Sequence, residues 1–205
     1  HPSKASRMPV EQAMASRFQP APARSPITAT PPTRDIDDEA LATADDLIAR
    51  SSRPVLIVGH QCRAADRAAT TNDLSDALGG PVMTTYKAKG VISETGMLNV
   101  GLFTNAKLDD TVLTEADLVV FCGVDPVEMI PGKWTPKAPV IVLSETAGLS
   151  WPFEAAVEIA GPVAVSAARL AAPASTGTWD PARIAGLKTH LRETVANDGD
   201  EGRFP

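Results

Sequence analysis

From residue 36 onward the chain alternates short, wholly apolar runs with stretches of helical period. The segment Pro54-Val55-Leu56-Ile57-Val58 has no polar position and closes on Gly59. A run of that length without polar alternation predicts a strand buried on both faces. Similar runs recur at 81–85, 98–101, 117–123, 139–143 and 155–159. Helices are expected between them, over 63–78 with Leu74, Ala77 and Leu78 inward, over 106–115, and over 162–171. Gly79-Gly80 stops the first of these.

A helix also precedes the first strand. Asp35, Asp37, Asp38 and Glu39 oppose the positive end of its dipole, and Leu41, Ala44, Leu47 and Ile48 make its apolar stripe. It is expected to end near Arg50. After a Pro/Ser/Thr/Gly break at 173–178, Asp180 caps one more helix with Pro181 in its first turn. Ile184, Leu187, Leu191 and Val195 share one side of it, and the polar tail from Asn197 reads as a linker.

Strands alternating with helices require crossover connections. The expected fold is therefore an α/β, Rossmann-like, doubly wound domain over 36–172, with a six-stranded, mainly parallel sheet and helices on both faces. Residues 1–35 hold seven of the 18 prolines and read as an extended linker, with a short helical turn around Val10–Arg17. Residues 173–205 read as a connector helix and tail.

Composition narrows the function classes. Aromatics are only 4% of the chain, so the core is expected to rest on Ala, Val, Leu and Ile. The net charge is −6, and no basic stripe is interleaved with aromatics, which argues against nucleic acid. No apolar run reaches the roughly 18–20 residues that cross a bilayer. Cys62 and Cys122 fall in different elements, far apart in sequence, and read as reduced thiols of a cytoplasmic protein. No Cys/His set has metal-ligand spacing. The Arg-rich, acid-poor start resembles a transit peptide, but its prolines oppose an amphipathic helix.

In an open parallel sheet, ligands bind beyond the carboxyl ends of the strands, where strand order reverses. Loops 59–63, 85–90, 101–105, 123–128 and 144–148 are expected there. The first turn, Gly59-His60-Gln61-Cys62-Arg63, has one glycine where a dinucleotide fingerprint has three, and no acidic residue ends the second strand. A standard NAD site is thereby disfavoured. Arg63 is either a phosphate contact at a helix start or a solvated surface residue. Glu145 either accepts from a ribose or adenine or caps a helix. Asp125 and Glu128 either orient a ligand or cap a turn. His60 has no partner at a known catalytic spacing, and His190 reads as solvated. Asp198-Gly199-Asp200 lacks a preceding buried strand and is dismissed as a metal loop.

Taken in order, Arg53-Pro54-Val55-Leu56-Ile57-Val58-Gly59, then Pro81-Val82-Met83-Thr84-Thr85-Tyr86-Lys87-Ala88-Lys89-Gly90 with Glu94, then Gly101, then 116–123 resemble the central domain of thiamine-diphosphate-dependent enzymes. These are the acetolactate synthase, pyruvate oxidase and benzoylformate decarboxylase relatives. The resemblance covers about 40–172 and implies a non-catalytic domain of a 2-keto acid lyase or carboligase. It implies flanking domains that bind thiamine diphosphate and Mg²⁺, neither present in this sequence, and a homo-oligomeric parent. It also implies that His1–Arg34 leads out of the first domain. Relatives hold FAD, ADP or no nucleotide in this domain. The positions implied for a nucleotide are Gly59, Gln61, Arg63, Thr85, Lys87, Gly90, Gly101, Phe103, Gly123, Asp125 and Glu145. Gly-His-Gln at the first turn and Gly101-Leu102-Phe103-Thr104 depart from the flavin pattern, so a nucleotide-free domain is favoured over one holding FAD, and FAD over ADP or coenzyme A. A free-standing nucleotide-binding or scaffold module is the competing reading.

Overall fold

The computed structural model describes residues 36–172 and 177–200, with side chains described to residue 197. The expectations for residues 1–35, for most of the break at 173–178 and for the last five residues lie outside the described residues. Helix α1 (Asp38–Arg50) leads to β1 (Pro54–Val58), and a 3₁₀ turn at His60–Arg63 leads into α2 (Ala65–Leu78). Strand β2 (Val82–Thr84) and β3 (Asn99–Leu102) follow, then a 3₁₀ turn and the one-turn helix α3 (Asp110–Leu113). Next come β4 (Leu118–Cys122), β5 (Val140–Ser144), β6 (Val157–Ala160), α4 (Val163–Ala171) and α5 (Pro181–Asp200).

The six strands form one sheet in the order β3-β2-β1-β4-β5-β6. Every pairing is parallel. All five residues of β1, β4 and β5 are buried, as their unbroken apolar character requires. Val55 and Ile57 enter one core, and Leu56 and Val58 enter the other. Each such side chain contributes about 1.5–3 kcal/mol of burial, against about 0.5–1.5 kcal/mol net for a ladder hydrogen bond. Packing on both faces therefore dominates the stability of the sheet.

One core lies under α1, α2 and α4, where Leu41, Ala44, Ile48, Leu74, Leu78 and Leu170 meet the sheet. Helix α1 begins where its acids predict: the Asp37 carboxylate accepts the N–H groups of Glu39 and Ala40. Helix α2 ends at Gly79, whose left-handed φ of 61° lets its N–H reach the Ser75 carbonyl.

The opposite face is covered in part by aromatic rings. The β4–β5 and β5–β6 connections contain no α-helix, and Trp134, Trp151 and Phe153 cover that side of the sheet instead. These rings surround Phe121, which also meets Phe103 at 5.6 Å between centroids. Among the described residues every Trp and Phe lies in or against this one core, and Tyr86 is exposed. The helix expected over 106–115 is a 3₁₀ turn at Lys107–Asp109 running into one α-turn, and the Asp109 carboxylate caps its start by accepting the N–H groups of Thr104 and Ala106.

Helix α5, expected as a connector, belongs to this second core. Trp179, Ile184, Leu187 and Leu191 are buried there, and the Trp179 indole N–H donates to the Pro54 carbonyl at the start of β1. Val195, expected on the same stripe, is 64% exposed because the helix has by then passed the sheet. The helix continues through Asp200, so its end falls inside the stretch expected to be a linker.

Candidate functional site at the carboxyl edge of the sheet

Strand order reverses between β1 and β4, so a ligand of a doubly wound fold would sit between their carboxyl ends. Here the two turns press directly on each other. The Gly59 N–H donates to the Cys122 carbonyl at 2.9 Å, and the Gln61 N–H to the Gly123 carbonyl at 3.0 Å. A Cβ on Gly59 would stand 2.2 Å from the Gly123 oxygen. Gly123 has φ +64°, and a Cβ there would lie 2.7 Å from the Cys62 sulfur. In a dinucleotide fold such glycines leave room for a pyrophosphate. In this chain they leave room for each other.

The remaining space is taken by a carboxylate. The Glu128 side chain is wholly buried. Its Oε2 accepts the main-chain N–H of His60 at 3.1 Å, the His60 Nδ1 at 2.9 Å and the Asp125 N–H at 3.1 Å. Its Oε1 accepts the hydroxyl of Thr85, itself buried, at 2.7 Å. An ionised carboxylate only accepts, so the His60 ring carries its proton on Nδ1 in this contact. Burial pushes the Glu128 carboxyl up, but the Thr85, His60 and Asp125 donors outweigh it and hold the group below its ordinary 4.5. A negative charge thus sits beyond the ends of β1, β2 and β4 with four protein donors aimed at it.

A second network lies toward β5. Gln61 Oε1 accepts the Glu145 N–H at 2.9 Å, and Arg67 donates to the Gln61 carbonyl at 3.1 Å. The Glu145 carboxylate accepts the Val163 N–H at 3.1 Å at the start of α4 and pairs with Arg67 at 3.3 Å. Of the two roles read for Glu145, helix capping is the one its contacts fill. Asp125 likewise caps its own turn, accepting the Val127 N–H at 2.9 Å.

The edge therefore assembles Gly59, Gln61, Thr85, Gly123, Asp125 and Glu145. The other positions scatter. Arg63 and Lys87 are exposed, and Gly90, with φ +87°, stands in open space. Phe103 is fully buried in the aromatic core. Gly101 lines a separate cleft of about 130 Å³ with Thr84, Lys89, Glu94 and Arg192. Lys89 pairs with Glu94 across 3.6 Å at that cleft. Among the described residues no three His, Cys, Asp or Glu side chains converge as a metal-binding group, and no helix is long and apolar enough to cross a membrane.

Sequence reasoning placed Glu128 on a turn without seeing its centrality, and it treated Cys62 and Cys122 as distant. Their sulfurs are 3.6 Å apart, both wholly buried. The signal was the pairing of β1 with β4, which sets Val58 beside Cys122 and folds the next 3₁₀ turn back over it.

Residues 41–170 match the family model described as thiamine pyrophosphate enzyme, central domain. The acetolactate synthase large subunit of Parasynechococcus marenigrum (strain WH8102) is 29% identical over 157 residues, 74% of this chain and 25% of that protein. The chain thus spans about a quarter of that curated relative. The fold also matches a solved structure of a proposed thiamin diphosphate-dependent enzyme from Mycobacterium smegmatis, at a TM-score of 0.57 and 21% identity, over 71% of this chain and 29% of that one. With the family model spanning well over half its length, this chain belongs to the thiamine pyrophosphate enzymes as a central domain.

Proposed function

We propose that this chain is the non-catalytic central domain of an acetolactate synthase-like lyase or carboligase acting on 2-keto acids, and that it works as a nucleotide-free spacer. The observation that carries the nucleotide-free reading is the Glu128 carboxylate. A diphosphate brought to the switch point would meet a buried negative charge and lose the donors that the charge already holds. The contact of Gly59 with Gly123 closes the backbone approach as well. FAD and ADP therefore do not fit the crevice in this arrangement.

The described residues offer no acidic set for a magnesium-bound diphosphate. We assign thiamine diphosphate and Mg²⁺ to flanking domains of a longer, homo-oligomeric, cytoplasmic parent; the match to a central-domain family model and the quarter of the relative that the chain spans support the flanking domains. Exposed apolar side chains beside the switch point support docking of a neighbour there. Tyr86 and Val127 are each 74% exposed and adjoin Thr85 and Glu128. Patches of this kind mark interaction surfaces.

The test has two arms. The purified chain is expected to show no absorbance near 450 nm and no calorimetric heat with FAD or ADP. It is also expected to turn over no pyruvate when thiamine diphosphate and Mg²⁺ are supplied. A yellow protein or saturable ADP binding would overturn the nucleotide-free reading, and turnover would overturn the non-catalytic one.

A further inference from the structure

Cys62 and Cys122 are the only cysteines of the chain. Cys62 lies in the 3₁₀ turn after β1, and Cys122 is the last residue of β4. Sixty positions separate them, yet Sγ to Sγ is 3.6 Å. A disulfide needs about 2.05 Å between the sulfurs, so about 1.5 Å of closure joins them. The Cys62 thiol also donates to the Cys122 carbonyl at 3.2 Å, and Thr71 Oγ1 lies 3.8 Å from the Cys122 sulfur. The two thiols thus meet at the edge of the apolar core beneath the switch point.

Their chemistry is unequal. The hydrogen bond with Cys122, then those with Thr71 and the Gly59 backbone, and the nearby Arg67 charge together outweigh burial and hold the Cys62 thiol below its usual range. The same contact with Cys62, followed by burial, pushes Cys122 well above it. Cys62 is thus the more readily ionised of the two sulfurs. The neighbouring Arg63 and Ala64 are exposed, so Cys62 lies directly behind a solvent-facing turn.

We propose that Cys62 and Cys122 are an oxidative modification site, at which a hydroperoxide converts the pair into a reversible disulfide that locks the first turn onto β4. The Cys62 thiolate attacks a peroxide oxygen. An S–O bond forms, the O–O bond breaks, and hydroxide leaves to take a proton. Cys122 then attacks the resulting sulfenic sulfur. The S–S bond forms, the S–O bond breaks, and the thiol proton leaves with the second water. Each sulfur loses one electron, and the peroxide takes up both. The product fastens the Gly59–Gly123 contact covalently and holds His60 against Glu128.

The test treats the purified 205-residue chain with hydrogen peroxide and counts thiols after unfolding in urea. The expected result is a fall from two thiols to none, a mass lower by about 2 Da and no dimer. A proteolytic fragment should link the two cysteines, and dithiothreitol should restore both thiols. Cys122→Ser should stop at a Cys62 sulfenic acid that dimedone traps. Sulfinic acid without a cross-link, intermolecular dimers, or two thiols persisting at a peroxide dose that oxidises the urea-unfolded chain would each overturn the proposal.

Discussion

The Glu128 carboxylate reaches back 68 residues to His60 and takes both its main-chain N–H, at 3.1 Å, and its ring Nδ1, at 2.9 Å. This pair closes the point where strand order reverses, and it joins the turns after β1 and β4. Removing the carboxylate leaves the His60 and Asp125 N–H groups and the buried Thr85 hydroxyl without an acceptor. Glu128→Ala is expected to cost about 2–3 kcal/mol. Urea unfolding should show a lower midpoint at unchanged slope. A midpoint equal to that of the parent chain would show that the carboxylate does not hold the turns together.

The same group predicts an acid limb. The Glu128 pKa is held below its ordinary 4.5, so the folded state binds that proton less readily than the unfolded state does. Its contribution is complete above the unfolded value and is lost as pH falls through the lower, folded one. Asp117 behaves alike: burial raises it, but the Ser51 hydroxyl and the N–H groups of Ser52 and Arg53 bring it below 3.8. Asp109 acts in the opposite sense, since burial holds it above 3.8 despite its backbone donors. Its contribution is present at low pH and is lost as pH rises through the folded value. Stability measured from pH 6 down to pH 3 should fall more steeply for the parent chain than for Glu128→Gln. Parallel curves would remove Glu128 as a source of the acid limb.

Two glycines should respond oppositely to alanine. A methyl at Gly59 would overlap the Gly123 carbonyl, which belongs to the backbone and cannot swing aside. Gly59→Ala is expected to cost about 1–3 kcal/mol or more. Gly186 lies in α5 with nothing within 4 Å of its added Cβ. Gly186→Ala is expected to gain about 0.5–1 kcal/mol through helix propensity. Thermal melts of the two variants should therefore move in opposite directions from the parent.

The aromatic core gives a separate readout. Phe121 is wholly buried, with the rings of Trp151 and Phe153 stacked on it at 5.5 and 5.3 Å. Phe121→Ala should cost about 3–5 kcal/mol and flatten the near-ultraviolet circular dichroism of the tryptophans around it. An unchanged spectrum would mean that the rings do not depend on one another.

Much of the fold was legible because strands and helices announce themselves locally. The unbroken apolar runs of β1, β4 and β5 could be satisfied only inside a sheet covered on both sides. Asp37 and Gly79 marked the ends of helices by the conformations that their own side chains, or the lack of one, allow. The helix read over 106–115 opens as a 3₁₀ turn at Lys107–Asp109 and holds one α-turn, Asp110–Leu113, a distinction that the apolar period does not carry. The candidate site was less legible. Its glycines could be named from their positions at strand ends, but whether they face a ligand or each other depends on how closely two distant turns approach.

The sequence by itself determined the parallel α/β class and the order of the elements, since each rests on short-range periodicity and the spacing between runs, and it carried the resemblance to the family in its quoted segments. Tertiary structure alone decided what fills the switch point. The parallel pairing of Val58 with Cys122 brings together turns some 60 residues apart, so Cys62 meets Cys122 and Glu128 meets His60. No local period encodes such contacts. They follow from strand register, which is set by the summed packing of both cores rather than by any one residue in the turns.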